Sequence, residues 1–250
     1  MKFTFLRLLL LMASLLALGA CSSRYDLTPP PSGPQVTVTI KVPEGASVKA
    51  IEAEYLSDRC FPPQYGPFNR YATQELKIKP KRQGDSDRYQ AQLDLDGGSA
   101  CHWRLATVTV GVQYWRAGKL DLAGTVREDV TAIFNVDRQG ERIDELPEAL
   151  RTRKELLLNA HYYPYVNTVG SGNAVIMFVA SGSDYARGPA AERLVFEPRV
   201  ERKLVARMSR DSAGNIVILY PDGSRLPAGT WHPDVKKLDA MRLGEVSSHE

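Results

Sequence analysis

The sequence has few of the residues that build metal centres, with only four histidines and three cysteines among its 250 residues. The histidines stand at positions 102, 161, 232 and 249, so no His-x-His or His-x-x-x-His pair exists. His102 adjoins Cys101, but one histidine beside one cysteine lacks the ligand spacing of a zinc motif. We therefore expect neither a metal site nor another cofactor.

Motifs of catalysis are missing as well. Many serine hydrolases show Gly-x-Ser-x-Gly around the nucleophile, and this pattern does not occur here. Gly170-Ser171-Gly172 and residues 181–184 contain serine and glycine at other spacings, and we interpret both as turns. No glycine-rich loop of the kind that cradles phosphate is present. The expectation is a protein that is not an enzyme.

The chain also lacks a large net charge. Its formal net charge is +3, and two of the positive charges, Lys2 and Arg7, lie in the first seven residues. The rest of the chain is therefore close to neutral, whereas nucleic-acid-binding domains usually carry a strongly basic face. We expect no nucleic-acid partner.

Long apolar runs are absent except near the N-terminus, where residues 8–18 are almost entirely apolar. This run is much shorter than the roughly 20 residues that a membrane-spanning helix needs. It follows the basic residues Lys2 and Arg7 and ends in small residues, a pattern that is typical of a secretory signal peptide. We interpret residues 1–20 as this signal.

The end of the signal, Leu18-Gly19-Ala20-Cys21, resembles the lipobox of bacterial lipoproteins. In that family the cysteine thiol receives a diacylglycerol, the chain is cut just before the cysteine, and the new amino group is acylated. The resemblance implies lipidation of Cys21, and two or more acyl chains anchor a protein stably to a membrane. It also implies, because Ser22 rather than aspartate follows, an outer-membrane location facing the periplasm.

Composition divides the mature chain into segments. Residues 21–35 contain three consecutive prolines and are expected to form a flexible tether behind the lipidated Cys21. The further predicted segments are a β-sandwich-like domain at 36–136, a charged connector at 137–155, a second β region at 156–232 and a polar tail at 233–250.

With Cys21 used by the lipid, Cys60 and Cys101 remain as an even pair in a chain bound for an oxidising compartment. We predict that they form a disulfide. It would close a loop of about 40 residues and stabilise the fold by roughly 4 kcal/mol in the chain-entropy model. Two buried free thiols are the alternative.

Alternation of apolar and polar residues with period two is the main pattern of the body. Around Val36, Val38 and Ile40, for example, apolar residues fall on one side and polar residues on the other. Three strand pairs are expected on this basis: residues 35–42 with 48–56, residues 103–115 with 124–136, and residues 155–166 with 173–180. The pattern predicts a mostly β protein, an antiparallel β-sandwich, with two small β domains as the alternative.

Two aromatic groups are candidates for recognition. One is a proline-rich loop after Cys60, which is either a binding loop pinned by the disulfide or a loop whose rings cap the core. The other, Tyr162-Tyr163-Pro164-Tyr165, suits a recognition surface or ordinary packing equally well. The candidate binding residues of the loop are Phe61, Tyr65 and Phe68.

A basic stretch is the third candidate. Residues 187–210 hold more basic than acidic side chains, and Arg199, Arg202 and Lys203 are its candidate binding residues. They either bind an acidic partner or lipid headgroups, or they are the ordinary charges of exposed strand faces.

These features favour a protein that acts by surface complementarity. In its lipobox, its mostly β body and its lack of active-site motifs, the chain is similar to the immunity lipoproteins that neutralise toxins delivered by type VI secretion. The resemblance implies a protein partner, the toxin, bound by loops or by an edge strand. The alternative is a structural or accessory subunit of an envelope secretion or transport assembly, and an enzyme is the third hypothesis.

Overall fold

The computed structural model describes residues 26–60, 72–136, 148, 152–169, 173–182, 184–188, 191–227 and 231–244. The predicted signal peptide, Cys21, the loop 61–71, most of the connector 137–155 and the turn at Gly170-Ser171-Gly172 lie outside them. The described chain is mostly β, as predicted, with an α-helix, α1 (Val235–Leu243), and a 3-10 helix at Ala117–Leu120.

Nineteen strands lie in the described residues. In chain order they are β1 (Gln35–Lys41), β2 (Ser47–Val48), β3 (Ile51–Ser57), β4 (Ala72–Ile78), β5 (Lys81–Arg82), β6 (Arg88–Asp94), β7 (Asp96–Gly98), β8 (Trp103–Gln113), β9 (Thr125–Val126), β10 (Val130–Asn135), β11 (Glu155–Leu158), β12 (His161–Asn167), β13 (Val175–Ser181), β14 (Tyr185–Arg187), β15 (Arg193–Phe196), β16 (Arg199–Val200), β17 (Ala206–Arg210), β18 (Ile216–Leu219) and β19 (Arg225–Pro227).

The strands form three sheets. Sheet I has the order β14-β10-β8-β3-β4, and both β2 and β7 also pair with β8. Sheet II has the order β11-β15-β1-β6-β5. Sheet III has the order β19-β18-β17-β12-β13-β9, with β16 paired to β12.

Sheets I and II share the main apolar core and form the two layers of a sandwich. Their alternation explains the packing, because Val36 and Val38 of β1 point inward from sheet II while Ile51 and Ala53 of β3 point inward from sheet I. The second half of the chain contributes to the same core, for example through the fully buried Phe196 of β15. The predicted sandwich is therefore a single core built from both halves.

Sheet III packs against apolar residues on both of its faces. On one face Tyr163 and Met208 contact Leu238 of α1. On the other face Val166 lies with Leu120 of the 3-10 helix, which follows the end of β8. Sheet III is thereby joined to the end of the sandwich at which β8 finishes.

The predicted strand pairs met different outcomes. β8 pairs with β10 and β12 pairs with β13, both antiparallel, as predicted. The first part of the predicted strand 155–166 is separate, however, because β11 lies in sheet II beside β15. The predicted hairpin of residues 35–42 with 48–56 is wrong, because β1 lies in sheet II and β3 in sheet I. Alternation shows which side of a strand is buried, but the same pattern fits a neighbour in the sheet or a strand in the opposite layer.

Strands from the two predicted β regions, 36–136 and 156–232, lie together in every sheet. β1 pairs in parallel with β15, β10 pairs in parallel with β14, and β13 pairs in parallel with β9. The sheets are therefore mixed rather than purely antiparallel. Parallel pairs need long connections and leave no local turn signal, so short-range patterns could not show them.

Residues 26–34, expected as part of the flexible tether, lie against the body instead. The backbone N–H of Thr28 donates to the carbonyl of Gly97 at 2.8 Å, and that of Leu95 donates to Pro34 at 2.9 Å. Leu27 packs against the main core. Proline lacks an N–H but keeps its carbonyl, so a proline-rich segment can still accept hydrogen bonds from a neighbouring strand.

Residues after Asp234, expected as a polar tail, form α1. Asp234 caps the helix by accepting a hydrogen bond from the N–H of Lys236 at 2.9 Å, and Gly244 ends it with a φ of 72°. Among the described residues of α1, only Leu238 is fully buried. A helix with so few buried side chains has a mostly polar composition, which is why the sequence indicated a polar segment. No helix in the described ranges is long and apolar enough to cross a membrane.

Candidate functional site

The predicted disulfide is present and marks one end of the sandwich. Cys60 and Cys101 are both buried and are bonded, with their Cα atoms 5.2 Å apart. The buried Ser57 fastens the same region, because its hydroxyl donates to the Cys101 carbonyl at 2.5 Å and accepts from the N–H groups of Arg59 and Cys60 at 3.1 Å. The sequence patterns did not indicate Ser57, which the β3 alternation places on the core side.

The docked N-terminal segment meets the body at this same end. Leu27 lies over Gly97, where a Cβ would stand 2.8 Å from the Leu27 side chain. Gly98 has a φ of 66°, and a Cβ there would collide with the carbonyl oxygen of Thr28. We call the region of Thr28, Gly97, Gly98 and the disulfide the disulfide end. The pair of glycines, which the sequence indicates only as a turn, is what allows this close approach.

An open depression of about 450 Å³ lies at the disulfide end. Its polar wall carries both signs of charge, with Asp58 3.5 Å from Arg104 and with Arg59 beside them. The predicted binding residues of the loop, Phe61, Tyr65 and Phe68, lie outside the described residues. The loop is flanked by Cys60 and Ala72, both of which lie at this end, since Ala72 pairs with Ser57.

The predicted basic residues lie at the opposite end of the sandwich. β8 starts at Trp103, beside the disulfide, and its 11 residues lead to Gln113. At about 3.3 Å per residue this strand separates the two ends by roughly 33 Å. The structure therefore separates Cys60 and Ala72, the described residues that flank the predicted loop, from the predicted basic residues.

An exposed tryptophan lies near Arg202, because both contact the same turn. Trp115 is 76% exposed, and its indole N–H donates to the hydroxyl of Ser47 at 2.7 Å. The guanidinium of Arg202 donates to the carbonyl of Glu44, in the turn that leads to Ser47. Lys119 packs against the same turn, because a Cβ on Gly45 would lie 3.2 Å from the Lys119 Cβ.

Trp115, Lys119 and Arg202 all contact the turn that leads to Ser47, and the region where they meet is called the Trp115 surface. The three segments that carry them hold five cationic side chains, and all but the half-buried Arg202 are exposed. Glu201, the acidic residue next to Arg202, is hydrogen bonded with His161 Nδ1 at 2.6 Å. The members are Trp115, Arg116, Lys119, Arg199, Arg202 and Lys203.

Three of the six members of this surface, Arg199, Arg202 and Lys203, are candidate binding residues of the basic stretch 187–210. Trp115 ends the alternating stretch 103–115, and Lys119 is not among the candidates that the sequence indicates. The sequence could have indicated that Trp115 and Lys119 are exposed, since a tryptophan that is followed by basic residues at the end of a strand is poorly placed for burial in the core. The three segments are distant in the sequence, so only the fold shows that they are neighbours.

An acidic depression of about 400 Å³ lies where sheets I and III meet. Glu128, Asp129 and Asp184 line it together with the ring of Tyr162. Asp129 is paired with Lys49 at 2.5 Å. Burial, and to a smaller extent the charge of Asp184, raises the pKa of Tyr162, so its hydroxyl stays neutral and donates to the Thr131 carbonyl at 2.9 Å.

The predicted tyrosine cluster is a packing feature. Tyr162, Tyr163 and Tyr165 are all buried, with Tyr162 in the main core and the other two against sheet III's own core. Burial is the first cause that raises the pKa of Tyr163 and of Tyr165 to about 12. These rings therefore offer little surface to a partner.

Ser181, at the edge of the serine- and glycine-rich turn, donates its hydroxyl to Asp239 of α1. Tyr163 also donates to Asp239, and the Arg242 Nε lies 3.2 Å from the same carboxylate. Burial raises the pKa of Asp239, but the hydrogen bonds from Ser181, Tyr163 and Arg242 outweigh it and hold the pKa below its usual range. Such a carboxylate is a weak base, so the arrangement fastens α1 rather than activating Ser181.

Histidine and acidic side chains are spread over the fold. In the part of the chain that the structure describes, no group of three or more His, Cys, Asp or Glu residues could hold a metal ion. The chain matches no known family model, no curated protein and no solved structure.

Proposed function

We propose that this chain is a lipid-anchored protein of the cell envelope that acts by binding another protein through the Trp115 surface. The observation that carries the proposal is an indole that is 76% exposed and that shares the segment at residues 44–47 with Arg202 and Lys119, at the end of the sandwich remote from the docked N-terminus. Tryptophan and arginine are the residues that most often dominate the affinity of protein interfaces. The lipid on Cys21, implied by the lipobox, supplies the anchor.

The partner has an acidic surface. Arg116, Lys119, Arg199 and Lys203 are exposed and would approach its carboxylates, while the ring of Trp115 would enter an apolar pocket. Opposite charges steer association and raise its rate more than they raise final affinity. In the Trp115 surface the indole would supply most of the affinity, and the basic side chains would select a partner with an acidic surface.

Neutralisation of a secreted toxin is the role that we favour for such binding. A turn at residues 44–45 and the 3-10 helix Ala117–Leu120 form part of the Trp115 surface, and such short segments can enter a concave cleft. An accessory subunit of an envelope assembly would use the same surface on a different partner. The identity of the partner separates the two roles.

The first test is capture of the partner. A mature form with Cys21→Ser and without residues 1–20 would be used to capture proteins from envelope extract and from culture supernatant of toxin-secreting cells. A toxin bound at one-to-one stoichiometry supports neutralisation, and it should lose its activity when the complex forms. A component of an envelope machine supports the accessory role instead.

The second test locates the binding surface. Trp115→Ala should weaken the captured partner's binding by about 30-fold, which corresponds to the roughly 2 kcal/mol of an interface hot spot. Arg199→Glu with Lys203→Glu should also weaken binding, mainly through a slower association that depends on salt. Both effects would be measured by surface plasmon resonance or by calorimetry.

The matched control is charge reversal on the far side of sheet III. Arg225→Glu with Lys236→Glu changes two exposed basic residues that lie on β19 and α1, away from the Trp115 surface. This variant should bind the partner normally. If the Trp115 and Arg199 variants bind as well as the unchanged protein, the Trp115 surface is not the binding site.

A further inference from the structure

Docking of residues 26–34 brings the body within a few residues of Cys21 along the sequence. The Thr28 N–H donates to Gly97, and the Leu95 N–H donates to Pro34, so this segment is attached at both of its ends. Leu27 adds an apolar contact with the core. Only six peptide steps therefore separate Cys21 from Leu27.

Six residues set a short limit on the reach of the anchor. A fully extended chain spans at most about 3.6 Å per residue, so the Cα of Leu27 lies within roughly 22 Å of the Cα of Cys21. With its acyl chains in the bilayer, Cys21 itself stays at the headgroup level. The disulfide end must then remain close to the membrane surface.

We propose that the disulfide end rests on the phospholipid headgroups and that the Trp115 surface points away from the membrane. This inference rests on the proposed lipidation of Cys21. The lipid fixes one point, the docked segment fixes the nearest part of the body, and β8 leads away from it. The two ends of the protein thereby have different neighbours: lipid at one end and the partner protein at the other.

The attachment is specific enough to hold an orientation. Gly98 adopts a left-handed conformation and admits the Thr28 backbone, where any side chain would collide. Asp96 stabilises that conformation, since its carboxylate accepts a hydrogen bond from the Gly98 N–H at 2.8 Å. A flexible tether would need none of these features.

The chemistry of the disulfide end suits headgroups that carry both charges. Arg59 and Arg104 would meet phosphates, while Asp58, which is ion-paired with Arg104 at 3.5 Å, and Asp96 would meet ammonium groups. The four side chains line the same open depression, and their formal charges cancel. This end can therefore approach zwitterionic phospholipid without the attraction for anionic lipid that a polybasic patch would give.

Energy transfer from the protein to labelled lipid tests the orientation. In the lipidated protein Cys21 is blocked as a thioether and Cys60 is bonded to Cys101, so an introduced cysteine is the only free thiol. A donor dye would be placed on Ala100→Cys, at the disulfide end, or on Lys119→Cys, in the Trp115 surface. The acceptor would be a headgroup-labelled lipid in phosphatidylethanolamine and phosphatidylglycerol vesicles.

We expect transfer from residue 100 to be several-fold more efficient than transfer from residue 119. A variant with ten glycine and serine residues inserted after Ser22 keeps the folded body and should lower the transfer from residue 100. A second variant, Gly98→Ala, should release Thr28 and raise the exchange rate of its amide hydrogen at least tenfold. Equal transfer from the two positions, or stronger transfer from residue 119, would overturn the orientation.

Failure of the anchor can be told apart from failure of the orientation. Mass spectrometry of the mature protein and flotation with vesicles report lipidation directly. A protein that carries no lipid and does not float contradicts the proposed function and this inference together. A lipidated protein that floats but shows equal transfer contradicts the orientation alone.

Discussion

Replacing both Cys60 and Cys101 by alanine lowers the free energy of unfolding by about 4 kcal/mol, because the unfolded chain regains the freedom that the bond removes. The two residues are 41 positions apart, and this separation sets the size of the effect in the chain-entropy model. For a chain of this size the melting temperature should fall by on the order of 10 °C. Denaturant unfolding of the oxidised protein and of the double variant gives the comparison.

Ser57→Ala is the control for this experiment. It leaves the disulfide intact but removes a buried hydroxyl that hydrogen bonds with Cys60 and Cys101, which should cost about 1–3 kcal/mol. The double cysteine variant should lose clearly more stability than Ser57→Ala. If the double cysteine variant loses less than 1 kcal/mol, the covalent restraint is not what stabilises the disulfide end.

Asp239→Ala lowers the free energy of unfolding by about 2 kcal/mol, because it removes the carboxylate whose hydrogen bonds attach α1 to sheet III. Tyr163 and Ser181 lose the acceptor of their hydroxyl protons, and Arg242 loses its carboxylate and keeps only its hydrogen bond to the Tyr163 oxygen at 3.1 Å. Tyr163 is fully buried, so its freed hydroxyl has poor access to water. Thermal unfolding together with hydrogen exchange of α1 would measure the loss.

The capping residue of the same helix supplies a control. Asp234→Ala removes one hydrogen bond to the Lys236 N–H, at an exposed position, and should cost about 1 kcal/mol. It leaves the contacts of Asp239 unchanged. If Asp234→Ala is as damaging as Asp239→Ala, the helix end rather than the carboxylate network holds α1 in place.

The effect of Asp239 should depend on pH in a defined direction. Burial raises its pKa, but the hydrogen bonds it accepts lower it further, so the folded protein holds the pKa below the ordinary value of 3.8. Its stabilisation is therefore complete above that value and is lost as the pH falls through the folded pKa. The stability difference between the unchanged protein and Asp239→Asn should shrink below about pH 4. A difference that stays constant from pH 7 to pH 3 would contradict the charged role of Asp239.

Several parts of the fold could be predicted because their causes are local. Val36, Val38 and Ile40 alternate with polar residues, and each is fully buried. The disulfide followed from counting cysteines once Cys21 was assigned to the lipid. The β8 and β10 pair was predictable because the two strands are close in the chain and both alternate.

Other parts depend on contacts between distant residues. Nothing near Gln35 in the sequence indicates that β1 lies between β15 and β6, rather than beside β3. The Trp115 surface is of the same kind, since Ser47, Trp115 and Arg202 meet only through the fold. Leu27 can lie on Gly97 only because glycine has no side chain, and the sequence gives no sign that another segment comes so close at this position.

The parallel pairing of β1 with β15 has a consequence for the order of folding. Thr37 and Arg193 are register partners although 156 positions separate them in the chain. Such high contact order slows folding, because a long loop must close before the pair is formed. When the chain emerges with its amino terminus first, β1 has to wait with one edge unpaired, exposed to aggregation. Cys60 and Cys101 both precede β15, so the covalent link can form during this interval and hold the first half together until its partner strand arrives.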